Sequence, residues 1–311
     1  MNILVTGGAG FIGSNLVELL VKKHPDAAIT VVDNFHTGHR NNLKHVAKQV
    51  TIVEGAVEEL DRVALPSTCK HIDQIYHLGI YSSSPMYKEN PLLVGKVLNG
   101  MIQILELARK HKAPVVWASS SSVYNGVKPP HREDAVIDVT DFYTEARLAC
   151  ERLALLYNKL HGVRSTGMRF FSVYGPHEKH KGRFANIISQ FLWEMEQGHA
   201  PVVYGDGSQR RDFTFVTDIV EGFWLAMQTK LDYEIINLGT ATNYSFNEVI
   251  EAINTQLGTS IQPQYIGNPI KNYVPETNAD ITKMQRLLKF TPRVKLAEGL
   301  KRIAELPLDE R

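Results

Sequence analysis

Tyr143 and Arg147 stand four residues apart in the stretch FYTEARLACE, so on a helix both side chains lie on one face, a turn apart. A phenol of pKa about 10 is mostly protonated at neutral pH, and it becomes a useful base only where positive charge favours the phenolate. A guanidinium one turn away carries such a charge and never gives it up. Taken alone, Tyr143 could equally be a packed aromatic and Arg147 a solvated helix arginine. A second source of chemistry is the run Ser119 to Ser122, which follows the apolar segment APVVWA. Hydroxyls at the carboxyl end of a strand face the crevice in which ligands of open α/β sheets bind, although they can also do no more than satisfy their own turn.

A third candidate is the run TGGAGFIG, which sets Gly7, Gly10 and Gly13 between the strand-like NILVTG and a helical periodicity from Phe11 to Lys23. Glycines there permit a tight turn, let backbone amides approach a pyrophosphate and let helix and strand pack closely. The helix start adds unpaired N–H groups and the positive end of a dipole. Asp33 closes the next strand, ITVVD, 20 residues after Gly13. Its carboxylate can accept both hydroxyls of an adenosine ribose and would repel a 2′-phosphate, so the loop reads as a site for NAD rather than NADP.

These groups need a scaffold that gathers several strand ends, and the pattern of the chain supplies one. The runs NILVTG, ITVVD, VTIVEG, DQIYHLG, APVVWASS and STGMRFFSVYG alternate with helical periodicities, among them Pro91 to His111 and Asp141 to Leu160. Such alternation predicts right-handed crossovers and a parallel sheet covered on both faces. Past Gly175 the loops lengthen, and helical segments near 185–197, 217–229, 245–256 and 281–288 are separated by short strands. The expected organisation is α/β: a Rossmann-like, doubly wound parallel sheet over 1–172 and a smaller mixed α/β substrate domain over 173–311, with segments crossing back. A chain of 311 residues can bury a substantial core, and a net charge of +1 gives no reason to expect nucleic acid or a membrane surface as partner. Two cysteines, Cys69 and Cys150, suggest neither a disulfide framework nor a zinc site, and no histidine spacing suits a metal. No apolar run approaches the ~18 residues of a membrane span, and the expected setting is the reducing cytoplasm.

The spacing G-x-x-G-x-x-G, taken with YTEAR, resembles the extended short-chain dehydrogenase/reductase family, in particular its NAD-dependent nucleotide-sugar epimerases and dehydratases, such as the UDP-glucose 4-epimerases. DNFHTG, YHLG, ASSSSVYN, RFFSVYGP, YGDGSQRRDFTFVTD, INLG and ADITK recur in that family's order, so the likeness runs nearly end to end. It implies Ser120, Tyr143 and Arg147 as the catalytic set, with Ser121 the alternative register for the serine. Cofactor contacts are implied for Gly7, Gly10, Phe11, Ile12, Gly13, Asp33, Asn34, Thr37 and Gly38. They are implied also for Ala56, Val57, Leu78, Gly79, Ser119, Tyr143 and Arg147. Sugar-nucleotide contacts would come from Ser83, Ser120, Ser121, Tyr143, Ser172 and Arg211, the last at the position of a diphosphate-binding arginine. A homodimer through the helices near 91–111 and 141–160 is implied as well.

The chain departs from the family at several of these places. Arg147 stands where the family has a lysine that lowers the tyrosine pKa and bonds the nicotinamide ribose; arginine keeps the charge on a bulkier, planar fork. Ala56 replaces an aspartate near the adenine, Val97 an asparagine, and Ser172 the asparagine of FFNVYG. Ile270, beside Lys271, takes the place of a diphosphate-gripping arginine. The loop HEKHKGR, 177–183, reads first as a solvated run of charge and second as a flap over phosphate. Family members begin by moving the sugar 4-hydroxyl proton to tyrosine and the carbon-4 hydride to NAD. Dehydratases and decarboxylases then use carboxylates at the serine stretch, where this chain has Ser121 and Ser122. A 4-epimerase acting on a nucleoside diphosphate sugar, of the UDP-hexose or UDP-N-acetylhexosamine class, is the resulting expectation. Another sugar-nucleotide enzyme, whether a dehydratase or an epimerase at a different carbon, and a noncatalytic binding protein disabled by Arg147 are the alternatives.

Overall fold

The computed structural model describes residues 1–268, 273–307 and 310. One sheet contains β1 (Asn2–Thr6), β2 (Ala28–Asp33), β3 (Val50–Glu54), β4 (Gln74–His77), β5 (Val115–Ser120), β6 (Ser165–Phe170) and β7 (Tyr233–Leu238). The strand order is β7-β6-β5-β4-β1-β2-β3, and every pairing is parallel. The order reverses between β1 and β4, and such a reversal opens a crevice at the carboxyl ends. Thr6 there pairs with both Val32 and His77, so three strand ends lie level at the crevice floor.

Alternation along the strands sorts side chains onto two covered faces, as a buried parallel sheet requires. Ile3, Val5, Val31, Val116 and Met168 enter one core, whereas Leu4, Val32, Val115 and Trp117 enter the other. The first core is closed by α1 (Phe11–Lys23), and the second takes in α2 (Ser84–Glu89), α3 (Leu93–His111) and α4 (Phe142–His161). A third core belongs to a smaller lobe built on α5 (Ile187–Glu196). Between α5 and the C-terminus come α6 (Val216–Gln228), α7 (Phe246–Leu257), α8 (Thr282–Leu288) and α9 (Leu296–Ala304). Helices α7 and α9 complete the lobe, while α6, β7 and α8 pack back onto the first core of the large sheet. No helix among the described residues is long and apolar enough to cross a membrane.

Two elements differ from the sequence pattern for local reasons. The helix expected from Pro91 begins at Leu93 and is preceded by a separate short helix, α2, started by Pro85. Asn90 is extended, with φ −143°, because a residue before proline is pushed out of the helical region, and this breaks the two apart. The run STGMRFFSVYG divides as well: β6 stops at Phe170, and Val173–Tyr174 pairs instead with Thr214–Phe215. The bend between them carries Ser172 into the crevice.

Candidate active site

At the turn from β1 to α1, Gly7 has φ +69°, and a Cβ at Gly13 would lie 2.0 Å from the Gly7 carbonyl oxygen. Neither position can hold a side chain without moving the turn. Gly10 caps α1 without a side-chain bond, which leaves the first-turn N–H groups without helical acceptors. Gly7, Gly10, Phe11, Ile12 and Gly13 all line a cavity of about 320 Å³. A helix start stripped of any side-chain cap and opening on a cavity fits a diphosphate.

Asp33 borders the same cavity. Its Oδ2 accepts from the Ala9 amide at 2.9 Å and its Oδ1 from Phe35 at 2.8 Å, so the carboxylate also holds the glycine turn in place. Burial raises the Asp33 pKa, and the backbone donors Phe35, Ala9 and Gly10 oppose that rise. Asn34, Thr37, Gly38, Val57, Leu78, Gly79 and Ser119 complete the wall on this side, so the residues present fit a dinucleotide.

At the other end the cavity is lined by Ser120, Ser121, Tyr143, Arg147 and Ser172. Asp141 caps α4 by accepting from the Thr144 amide at 2.8 Å, which fixes the first turn and with it Tyr143. Arg147 is 1% exposed, so it is no solvated helix arginine. Its guanidinium carbon sits 4.6 Å from the centre of the Tyr143 ring, and Nη2 donates to the Tyr81 carbonyl at 2.5 Å. Burial works against the charge, but Tyr87, Tyr143 and Cys150 hold it, and the net effect is a raised pKa. The guanidinium in turn adds to the burial that pushes His77 down to about 3, so His77 stays neutral, with Nδ1 2.7 Å from the Thr6 hydroxyl. Burial pushes the neighbouring Cys150 thiol up to about 12, which makes it an inert packing group.

Ser120 accepts from the Ser122 amide at 3.1 Å, which leaves its own proton to donate into the cavity. Its neighbour Ser119 donates at 2.7 Å to Glu151, one turn beyond Arg147 on the same face of α4. Glu151 is held bidentately by Arg169 of β6, at 2.9 and 2.7 Å, and Arg169 also donates to the Tyr124 hydroxyl at 2.7 Å. This buried network locks α4 to the ends of β5 and β6, and so sets the height of Tyr143 against Ser120.

Three expected contacts lie outside the cavity wall. Ala56 precedes a turn of 3₁₀ helix in an extended conformation, and Ser83 stands at the start of α2. Arg211 belongs to a short strand of the smaller lobe, its guanidinium between the rings of Tyr273 and Phe246 at 5.4 and 5.7 Å. Val97 is buried in the α3 core, and Ile270 and Lys271 lie outside the described residues.

Other wall residues, Glu58 chief among them, escape the sequence reading, and Lys181 belongs to the loop 177–183 whose second reading is a flap over phosphate. The loop 177–183 is no simple solvated run. Glu178 is wholly buried, accepts from the Asn186 amide and the Ser189 hydroxyl, and lies 3.1 Å from Lys181 Nζ. Lys181 thereby reaches over the Phe11 ring at the start of α1. The Glu178–Lys181 spacing of three was the available signal, and a helical turn made it meaningful.

Residues 3–239 match the sequence profile described as the NAD dependent epimerase/dehydratase family. A UDP-N-acetyl-alpha-D-glucosaminuronate decarboxylase of Bacillus cytotoxicus is 34% identical, over 96% of this chain and 95% of its own. Among solved structures, a UDP-glucose 4-epimerase of Thermotoga maritima with UDP-glucose superposes with a TM-score of 0.90 at 28% identity, covering 98% of each chain. A UDP-glucuronic acid 4-epimerase of Bacillus cereus, in complex with UDP-glucuronic acid and NAD, superposes with a TM-score of 0.88 at 27% identity, covering 97% of this chain and 98% of the other.

Proposed function

Since the chain belongs to the NAD dependent epimerase/dehydratase family, we propose that it is an epimerase inverting carbon 4 of a nucleoside diphosphate sugar, a UDP-hexose or UDP-N-acetylhexosamine, through a transient 4-keto sugar. The observation that carries this reading is the buried Arg147 guanidinium stacked on Tyr143 in the cavity that also holds the glycine turn. When bound, NAD would supply the reversible hydride acceptor for carbon 4. Gly10, Phe11, Ile12 and Gly13 would hold its diphosphate through backbone amides, and Asp33 would accept from its adenosine ribose. Tyr143 takes the 4-hydroxyl proton, helped by the guanidinium against its ring face, while Ser120 donates to the same sugar oxygen. After the ketone turns over its other face, Tyr143 returns the proton. Ser121 and Ser122 cannot provide the carboxyl acid–base pair of an elimination, which favours hydride return over dehydration.

Incubating the purified protein with UDP-glucose, UDP-N-acetylglucosamine and UDP-glucuronate, then separating the products, tests the reading. A 4-epimer is the expected product. A keto-deoxy sugar or loss of carbon dioxide would replace the reading by another sugar-nucleotide activity, and bound NAD with no conversion would make the protein a noncatalytic binder. The same reading includes a cytoplasmic homodimer through α3 and α4, which expose Ile102, Leu156 and Leu160. Light scattering should then return twice the 35.0 kDa chain mass.

A further inference from the structure

A lysine head is compact, whereas the planar fork of Arg147 has to be turned to its target. Among the described residues Arg147 Nε is buried with no hydrogen-bond partner, so the near end of the fork does not fix its direction. The far end does, through Nη2 and the Tyr81 carbonyl at 2.5 Å. Where the guanidinium sits over Tyr143 therefore depends on where that carbonyl oxygen is held.

Tyr81 lies in the coil between β4 and α2, and a second donor reaches its carbonyl. The Tyr87 hydroxyl, from α2, donates to the same oxygen at 2.9 Å. A carbonyl has two lone pairs and can accept both bonds. Tyr87 is buried, and its ring meets Tyr143 edge-on, with centroids 5.3 Å apart and planes at 73°. Four groups thus close a circle: the Tyr143 ring, the Arg147 fork against it, the Tyr81 carbonyl, and Tyr87 back against Tyr143. Tyr87 stands off the cavity wall, away from the reacting atoms. Burial pushes its phenol up to about 12, which keeps a proton on it for the carbonyl at neutral pH.

We propose that Tyr87 is a positioning residue for the proton step: its hydroxyl fixes the Tyr81 carbonyl, and that oxygen holds the Arg147 guanidinium over the Tyr143 ring. This deepens the epimerase reading above and rests on it for the reaction.

The first measurement needs no turnover. In protein labelled with ¹⁵N-arginine, the Arg147 side-chain signals are assigned by their loss in Arg147→Met. A guanidinium anchored through one Nη turns slowly about its bonds and gives separate Nη signals. In Tyr87→Phe, which keeps the ring and loses the hydroxyl, these signals should merge while circular dichroism shows an unchanged fold. Turnover of a UDP-sugar should fall about three- to tenfold, the worth of one neutral hydrogen bond, with the rise of rate moved to higher pH. In the Arg147→Met background the same change should alter neither rate nor profile further, because Tyr87 acts through the guanidinium. Either separate Nη signals or a wild-type pH profile in Tyr87→Phe would overturn the proposal, whatever its melting temperature. An equal loss of rate in the Arg147→Met background would overturn it too, since Tyr87 would then act on Tyr143 directly. A wild type with ordered Arg147 signals that converts no UDP-sugar sinks the epimerase reading, and the arginine signals of Tyr87→Phe then decide whether Tyr87 holds the fork.

Discussion

Replacing Arg147 by methionine removes a positive charge from a fully buried position while keeping an unbranched side chain to fill it. The guanidinium carbon is 4.6 Å from the centre of the Tyr143 ring. Opposite unit charges at that separation attract by roughly 3.6 kcal/mol in an effective dielectric of about 20. Solvent reaching the cavity screens part of this attraction, so about 2–3 kcal/mol remains at the phenolate. At about 1.4 kcal/mol per decade, turnover at neutral pH should fall roughly 30- to 150-fold, and the rise of rate with pH should move to higher pH. Arg147→Lys retains the charge and should keep or raise turnover, with the pH profile in place. Initial rates of epimer formation across pH 6–10 for the three proteins, alongside circular dichroism to confirm folding, measure the effect. A folded methionine variant with wild-type rates and an unmoved profile would refute the electrostatic role. A lysine variant with no turnover would show that the planar fork has a task beyond charge.

Other expectations follow from the same contacts. Asp33→Asn should weaken NAD about tenfold or more and raise the NADP to NAD affinity ratio in calorimetry, because the repulsion toward a 2′-phosphate goes with the charge. Arg169→Met leaves the Glu151 carboxylate buried without its partner and should cost about 3–5 kcal/mol in urea denaturation, an unusually large loss for a position off the reaction path. Burial lowers the His177 pKa to about 4, so the native state holds this ring neutral while the unfolded chain protonates near about 6.5. Its contribution is fully present above pH 6.5 and is lost as pH falls toward 4, by up to about 3 kcal/mol. Asparagine tolerates the positive φ of 70° at this position, so His177→Asn should flatten that part of the acid limb in thermal melts at a series of pH values.

Local signals made the large sheet readable. β-branched runs of strand length, a glycine turn before an amphipathic helix and Asp33 at a strand end each depend on neighbours in sequence, so six of the seven strands and the one helix carrying Tyr143 and Arg147 could be placed from the chain alone. The seventh, β7, pairs with β6 across more than sixty intervening residues, and nothing local announces that partner. The site divides in the same way. Tyr143, Arg147 and the glycines follow from spacing, but the burial of Arg147 depends on Tyr81 and Tyr87 arriving from another segment. Lys181 resembled a surface charge because Glu178, Asn186 and Ser189 close around one another only once α5 has packed. Arg211 fits a motif by sequence, yet in this structure it lies against aromatic rings, off the cavity wall.

With β7 as its outer strand, the large sheet borrows an edge from chain that has already visited the smaller lobe. A fragment ending at Ser172 would bare the amides and carbonyls of Ser165–Phe170 and strip Phe223 and Ile236 from beneath them. The two halves are therefore not cassettes. Anyone wishing to graft a different sugar-recognition lobe onto this scaffold would have to splice it at every crossing of the chain, and a swap at one junction would yield a protein that cannot close its own sheet.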